Sequence, residues 1–286
     1  SYYTLRNPYK YWRSDKVQPI TISECVGNYT SVDGRFNLNS NTKQPGSQLN
    51  WTGHAPDYEQ RSRALSHQAF VIKQAIEVSR RLRSENPYMA GLAPFTILFH
   101  NWHDIDDFDD MMPKPAARQF RLSAQPVLLS WALWKSQVYA GSTINPLAYI
   151  INDSKTRNDL TGLTLRYTLM GPDGVLWKEG GMNLSDVKYY DVERKSVNIS
   201  IPASLPTGEY TLWGEINQGD SIISRNMTEI YIANTMSMRS QKKPEKKVTL
   251  YDPKGKTREA LQNLNIRFKE IGSFDQLQPG DETLVI

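Results

Sequence analysis

The sequence lacks residues and runs that several classes of protein depend on. Its 286 residues include one cysteine, so no disulfide can close within the chain. No apolar run approaches the ~20 residues that cross a bilayer, so we expect no membrane span. The net charge is only +4, and much of the excess lies in the short run "RSQKKPEKK". A mild charge of this kind gives little support to nucleic-acid binding, and we expect no nucleic-acid partner.

Several catalytic and cofactor motifs are also missing. The sequence contains no G-x-S-x-G elbow, no phosphate-binding P-loop and no G-x-G-x-x-G fingerprint. His100, His103 and Asp104 do not follow a strong zinc-binding pattern. The acidic run over residues 104–110 lacks the central glycine and closing glutamate of an EF-hand loop, and we interpret it as a solvated loop. We therefore expect no cofactor and no bound metal.

What is present indicates a folded chain of several parts. Hydrophobic residues make up 39% of the sequence and aromatic residues 10%, enough for a packed core. Residues 1–124 read as an α/β segment: a strand over 17–24, a polar loop over 25–53, a helix from Pro56 and a second strand over 91–102. Leu65, Ala69, Ile72 and Ile76 recur at helical spacing. The order strand, helix, strand predicts a parallel βαβ unit.

In the rest of the chain the pattern of apolar residues changes twice. Residues 125–234 hold about seven short β-rich runs separated by turn sequences, which indicates an antiparallel sandwich of immunoglobulin-like shape. Residues 235–246 read as a basic linker. Residues 247–286 return to strand, helix, strand, strand and predict the opening of a doubly wound α/β domain. The expected fold class is therefore mixed α/β and all-β.

Glu24 closes the first predicted strand and is the first candidate for chemistry. At the carboxyl end of a parallel strand a carboxylate can act as nucleophile, general base or metal ligand. The alternative is an ordinary glutamate at the point where a strand reaches water. Cys25 follows directly; since a cysteine nucleophile needs a paired histidine, we interpret it as a buried structural thiol.

The second predicted strand ends in a polar and aromatic group of residues. An indole face beside hydrogen-bonding side chains suits a sugar ring, whose C–H groups stack on the ring while its hydroxyls reach polar groups. Trp102 could equally be a core aromatic at a domain junction. The candidate substrate-binding residues are His100, Asn101, Trp102 and His103.

Several stretches together resemble a known family. The segments "QPITISE", "GLAPFTILFHNW" and "QPVLLS", followed by "INPLAYIINDS", resemble the end of the catalytic barrel and the next sandwich of glycoside hydrolase family 2, the β-galactosidase and β-glucuronidase family. The tail "VTLYDPKGKTREALQNLNIRFKEI" resembles the start of a class I glutamine amidotransferase-like domain. The polar insertion over residues 25–53 departs from compact family members.

The resemblance implies the C-terminal part of a (β/α)8 barrel over residues 1–124 and a carbohydrate substrate. It implies that Glu24 is the nucleophile of a retaining β-glycosidase and that Trp102 lines the sugar pocket. The acid/base glutamate of the family belongs to an earlier barrel strand, so we expect a fragment that is inactive without the remainder of its polypeptide. The compartment stays open, and a periplasmic or secreted parent protein is compatible with the family.

Two alternatives remain open. The chain could be a non-catalytic carbohydrate-binding or scaffolding module of a polysaccharide-degrading protein. Its sandwich would then bind glycans, or pack on the barrel, through one or more of Trp131, Trp134, Trp177 and Trp213. Catalysis could also be complete within this chain if Asp104 supplied the second carboxylate opposite Glu24.

Overall fold

The computed structural model describes residues 19–28, 58–85, 89–96, 112–235, 247–278 and 283–285. Its first part is a strand, a helix and a strand: β1 (Ile20–Asn28), α1 (Tyr58–Leu82) and β2 (Met89–Thr96). The two strands pair in parallel, as the βαβ pattern predicts. Within the described residues they form a two-stranded sheet, so the barrel remains a prediction.

The first strand begins later and ends later than predicted. Glu24 does not close it, because β1 continues through Asn28. Cys25 and Asn28 are held in the ladder by pairing with Pro94 and Thr96 of β2, so the polar and glycine-containing end of the strand is still extended. The last six residues of the second predicted strand, 97–102, lie outside the described residues.

Helix α1 has an apolar face toward β2 and a second helix, α2 (Pro115–Ser123). Ala69, Ile72 and Ile76 pack with Ala116 of α2, so three of the four predicted positions form a buried face, whereas Leu65 is only half-buried and is not part of this cluster. The predicted helix start at Pro56 lies outside the described residues. Helix α2 is absent from the sequence prediction, although a proline at its first position suits a helix start.

The turn-separated β runs predict a sandwich of about seven strands, and the structure has a two-layer β-sandwich of ten strands between residues 127 and 233. They are β3 (Val127–Ala132), β4 (Gln137–Tyr139), β5 (Thr143–Ile144), β6 (Leu147–Asn152), β7 (Leu163–Met170), β8 (Leu176–Asn183), β9 (Val192–Ser196), β10 (Ile199–Ser200), β11 (Gly208–Gln218) and β12 (Ser221–Ala233). The larger sheet has the order β4-β12-β11-β7-β8, the smaller one β3-β6-β9, and β5 pairs with β10. Pairing is antiparallel except between β4 and β12.

The sandwich closes over one apolar core. Alternate residues of β7 and β11 point into it, which is why their burial alternates along the strand. Near the start of β11 the Tyr210 hydroxyl donates to the Pro206 carbonyl at 2.8 Å, a bond of the tyrosine-corner type found in immunoglobulin-like sandwiches. Strand β8 is missing from the predicted set because it is an edge strand with mostly exposed side chains and no apolar alternation.

The C-terminal part is a small parallel sheet. Strands β13 (Val248–Leu250), β14 (Phe268–Glu270) and β15 (Thr283–Val285) follow the order β14-β13-β15, and helix α3 (Lys256–Asn263) connects the first two. The first strand in the chain, β13, lies between the other two, as in doubly wound sheets. This arrangement agrees with the predicted α/β segment. Most of the basic linker, residues 236–246, lies outside the described residues.

Candidate functional site

The structure places Glu24 within an irregular stretch of the β1–β2 ladder. Ile22 pairs with Leu92 and Cys25 with Pro94. Two residues of β1, Ser23 and Glu24, therefore stand opposite the single residue Ala93. A two-against-one count is the arrangement of a β-bulge, which is rare in parallel pairs, and the register of this ladder also shifts between Ile20 and Thr21 and between Cys25 and Asn28. Parallel pairing also brings the carboxyl ends of both strands to one edge of the sheet.

The remaining predicted site residues cannot be placed beside Glu24. His100, Asn101, Trp102, His103 and Asp104 all lie outside the described residues. They follow β2, which ends at Thr96, so their proximity to Glu24 remains a prediction. Among the described residues no group of three or more potential metal-ligating side chains converges.

A buried polar cluster, which sequence reasoning missed, joins α1 to the sandwich. Its centre is Glu77, whose side chain is 1% exposed. The Glu77 Oε1 atom accepts hydrogen bonds from Lys73 Nζ, from Asn226 Nδ2 at 2.8 Å and from Ser123 Oγ at 3.1 Å. Its Oε2 atom accepts from Ser130 Oγ at 2.6 Å. We call these five residues, Lys73, Glu77, Ser123, Ser130 and Asn226, the α1 polar cluster.

The cluster is closed on itself, because Lys73, Glu77 and Asn226 each have several partners and the two serine hydroxyls each donate to Glu77. Lys73 Nζ also donates to Asn226 Oδ1 at 2.5 Å. Asn226 Nδ2 donates to the Leu129 carbonyl at 2.6 Å, and Asn226 Oδ1 also accepts from the Met227 amide at 2.8 Å. Buried polar networks of this kind are stable only when their members are satisfied in this way.

Glu77 is ionised in this setting. Burial alone would raise its pKa, but the charges of Lys73 and Arg81 and the hydrogen bonds from Lys73 and Ser130 outweigh burial. Its pKa therefore lies below the ordinary value of 4.5. A general base or nucleophile must reach its substrate, whereas both oxygens of this carboxylate are buried and occupied. The α1 polar cluster therefore holds α1 against the sandwich, and its carboxylate, Glu77, does not act on a substrate.

The end of α1 makes a second set of contacts with the sandwich. Asp153, just after β6, forms ion pairs with Arg80 at 2.8 Å and with Arg83 at 2.6 Å. Arg80 also donates to the Ser123 carbonyl at 2.7 Å. The Arg83 guanidinium lies 4.0 Å from the ring centroid of Tyr190. The arginines that sequence analysis would assign only to the helix terminus thus anchor the helix.

The four tryptophans of the sandwich differ in what they contact. Trp131 is buried in the core, and Trp177 packs against that core. The ring of Trp213 lies under Arg225, whose guanidinium carbon is 4.6 Å from the ring centroid. Trp134 is 43% exposed, more than the other three, so it presents the most surface to a ligand.

Trp134 lies at a cavity of about 230 Å³ between α1, α2 and the edge of the sandwich. Arg81 forms one wall and donates to the Trp131 carbonyl at 3.0 Å. Its guanidinium carbon lies 5.9 Å from the Trp134 ring and 5.5 Å from the Tyr149 ring. Other polar and aromatic residues that line the cavity are Ser66, Phe70, Lys73, Gln74, Gln119, Ser136 and Glu229.

Sequence reasoning missed this region although one signal was available. Lys73, Glu77 and Arg81 recur at intervals of four residues, which places them on one face of α1. Such a charged face is more often solvated than buried. Nothing in the sequence pairs that face with Ser130 or Asn226, which lie 53 and 149 residues from Glu77.

Comparison with known proteins gives coarse resemblances of fold. No family model and no curated protein sequence matches the chain. An exo-chitosanase, CsxA, from Amycolatopsis orientalis is 17% identical with a TM-score of 0.45, over 64% of this chain and 21% of that protein. A β-glucuronidase from glycoside hydrolase family 2 is 12% identical with a TM-score of 0.29, over 39% of this chain and 11% of that one.

The CARDB domain of the PF1109 protein from Pyrococcus furiosus is 10% identical with a TM-score of 0.27, over 37% of this chain and 89% of that one. The chain spans about a fifth of the length of the exo-chitosanase. At TM-scores of 0.45 and below, none of these similarities assigns a family or an activity. Among the described helices, none is long and apolar enough for a bilayer span.

Proposed function

We propose that this chain contributes the nucleophile to the active site of a retaining β-glycosidase. The observation that carries the proposal is the parallel pairing of β1 with β2, irregular at Ser23 and Glu24. Bulges are over-represented beside active sites, and in this parallel pair the carboxyl ends of both strands, Asn28 and Thr96, lie at one edge of the sheet. The family resemblance of "QPITISE" and "GLAPFTILFHNW" supports the same assignment.

In the proposed reaction Glu24 attacks the anomeric carbon of a β-glycoside and forms a covalent glycosyl-enzyme. The bond from that carbon to the leaving oxygen breaks, and a second carboxylic acid protonates the oxygen. That group then removes a proton from water, which attacks the anomeric carbon and releases Glu24. We place the second carboxyl group about 5–5.5 Å from Glu24, in polypeptide outside this chain.

The substrate-binding roles are part of the same proposal. Trp102 would provide an indole surface for a sugar ring, and His100, Asn101 and His103 would hold its hydroxyls. The sandwich would support this active site through its contacts with α1. The α1 polar cluster fixes the helix that connects β1 to β2 onto the sandwich, and the residues proposed to contact substrate follow those strands.

The test uses the full polypeptide that contains this chain and aryl β-glycosides of several sugars. A Glu24→Ala variant is expected to lose hydrolysis by several orders of magnitude. Added azide should restore turnover and give a glycosyl azide of inverted configuration, because azide occupies the space of the missing carboxylate. The exposed Glu85, substituted by alanine, is the matched control and should retain activity. Full activity of Glu24→Ala would refute the assignment.

A second variant distinguishes our proposal from the alternative in which Asp104 is the second carboxyl group of the active site. If Asp104 were the acid/base group, Asp104→Asn would abolish hydrolysis of substrates with poor leaving groups, since these need protonation. Our proposal predicts that this variant keeps most of its activity on both activated and unactivated substrates. It also predicts no hydrolysis by the chain of residues 1–286 alone.

A further inference from the structure

The strands that border the cavity at Trp134 carry an exposed row of aromatic residues. Tyr231 of β12 pairs with Gln137 of β4, and Tyr139 lies two residues further along β4. Paired residues share a face of a sheet, and so do alternate residues of one strand. Tyr231 and Tyr139 therefore lie on the same face. They are 43% and 59% exposed, and Trp134, which precedes β4, is 43% exposed.

The polar groups around the row are fixed in place. The Tyr231 amide donates to the Ser136 carbonyl at 2.7 Å, which ties the segment after Trp134 to β12. Within the cavity, Arg81 is held by the Trp131 carbonyl, and Lys73 by Glu77 and Asn226. Both cations are more than nine-tenths buried. A ligand that enters would meet donors that are already positioned, which lowers the entropic cost of binding.

The charges of this region balance. Lys73 and Arg81 face Glu77, which is buried behind them, and Glu229, which is exposed at the cavity. The lining therefore favours neither an anion nor a cation. The cavity volume of about 230 Å³ is below the ~300–1,000 Å³ typical of pockets for drug-sized ligands, so it suits a single ring of a larger molecule.

We infer that the cavity and the aromatic row, Trp134, Tyr231 and Tyr139, form a binding site for a neutral oligosaccharide. One sugar unit occupies the cavity, where its hydroxyls meet Arg81 and Glu229. The following units stack on the exposed rings of the row. The row presents three exposed rings, so more than one sugar unit can stack on it.

Sugar chemistry fits this surface better than a protein partner does. Sugars combine apolar C–H faces with many hydroxyls, and here aromatic rings are separated by polar residues such as Ser136, Gln137 and Glu229. Protein interfaces instead concentrate their energy in clusters that are fully desolvated at the centre. The site uses no atom of Glu24 and is independent of the proposed hydrolysis.

Calorimetric titration of the 286-residue chain with neutral hexasaccharides tests the inference. The probes are cello-, chito-, manno- and xylohexaose, and at least one should bind at micromolar to low millimolar concentration. Trp134→Ala should weaken that binding about tenfold or more, and Tyr139→Ala with Tyr231→Ala by a similar factor. Tyr189→Ala, which removes a tyrosine exposed to 38% elsewhere on the sandwich, should leave the affinity unchanged.

Two results would overturn the inference. One is that no hexasaccharide binds at millimolar concentration. The other is that binding survives both aromatic substitutions but is lost in Glu24→Gln, which would assign the sugar to the proposed catalytic site. If Trp134→Ala does not fold, Trp134→Phe keeps a smaller ring in the same place and should weaken binding by an intermediate factor. The double tyrosine variant provides an independent measurement on the exposed part of the row.

Discussion

Substitution of Glu77 by glutamine should release α1 from the sandwich. The variant keeps the size of the side chain but removes the negative charge between Lys73 and Arg81, both of which remain buried. Loss of one partner from a buried ion pair costs about 3–5 kcal/mol, because the remaining charge is neither solvated nor paired. We expect a loss of this size, as Glu77 accepts four hydrogen bonds in the wild-type chain.

Hydrogen exchange read by mass spectrometry is the suitable assay. The sheets of this chain can open separately, and hydrogen exchange reports the opening of each segment. Peptides from α1 should exchange faster in Glu77→Gln by a factor equivalent to about 3–5 kcal/mol. Peptides from β13 and α3, which lie outside the cluster, should be unchanged and provide an internal reference.

Glu215→Gln is the matched control. Glu215 pairs with Arg225 at 3.1 Å, and the arginine side chain is 58% exposed. An exposed pair of this kind contributes at most about 1 kcal/mol. If Glu77→Gln alters exchange in α1 no more than Glu215→Gln alters exchange in β11, the α1 polar cluster does not anchor the helix and the reasoning is refuted.

The loss of stability in Glu77→Gln should also become smaller as the pH falls. The pKa of Glu77 is lowered by folding, so the stability that its charge contributes is complete above the unfolded value of 4.5. That contribution is lost as the pH falls through the lower, folded pKa. The difference between wild type and Glu77→Gln should therefore be constant near neutral pH and shrink in strong acid.

Three further predictions concern other parts of the fold. Gly214→Ala should destabilise the sandwich by about 1–3 kcal/mol in urea unfolding, because a Cβ there would lie 2.5 Å from an atom of buried Trp131. Gly208→Ala in the same strand, with no atom nearer than 3.9 Å, should be tolerated, and equal losses would contradict this account. Burial lowers the pKa of Lys114 to about 8. Lys114→Met should therefore raise the melting temperature near pH 7, and the gain should become smaller at higher pH, where wild-type Lys114 is neutral. A gain in melting temperature that does not change with pH would show that the buried charge is not its cause. Asp252 accepts from the Arg258 amide at 2.8 Å, and this and other backbone hydrogen bonds lower its pKa, so Asp252→Ala should speed exchange in α3 at neutral pH but not in strong acid.

The periodic features of the fold could be read from the sequence. Alternating apolar residues predict the long strands of the sandwich, and helical spacing of Ala69, Ile72 and Ile76 predicts the apolar face of α1. The strand, helix, strand order predicts parallel pairing in both the first and the last part of the chain. Each of these signals is local and depends on hydrophobic burial.

Features that depend on long-range contacts could not be read in this way. The edge strand β8 has few buried residues, so it lacks the pattern that reveals a strand. The charged face of α1 looks solvated in the sequence because its partners lie in β3 and β12. The end of β1 is polar and rich in turn-forming residues, yet pairing with β2 keeps it extended to Asn28.

The candidate site was predicted only in part. The sequence identifies Glu24 as a carboxylate on a parallel strand, and the structure locates it at an irregular point of the β1–β2 ladder. Its role as nucleophile and the roles of His100, Asn101, Trp102 and His103 stay proposals. The cavity at Trp134 brings together residues of α1, α2 and the sandwich that no sequence motif connects.

Covalent labelling with activated 2-fluoroglycosides is the most direct test of the central proposal. The electronegative fluorine slows hydrolysis of the glycosyl-enzyme, so a retaining enzyme accumulates the intermediate. In a polypeptide that contains this chain and the proposed acid/base carboxylate, we predict that one sugar is added and that peptide mapping places it on Glu24. A label on any other residue, or turnover without a covalent intermediate and with inverted configuration, would contradict the proposal.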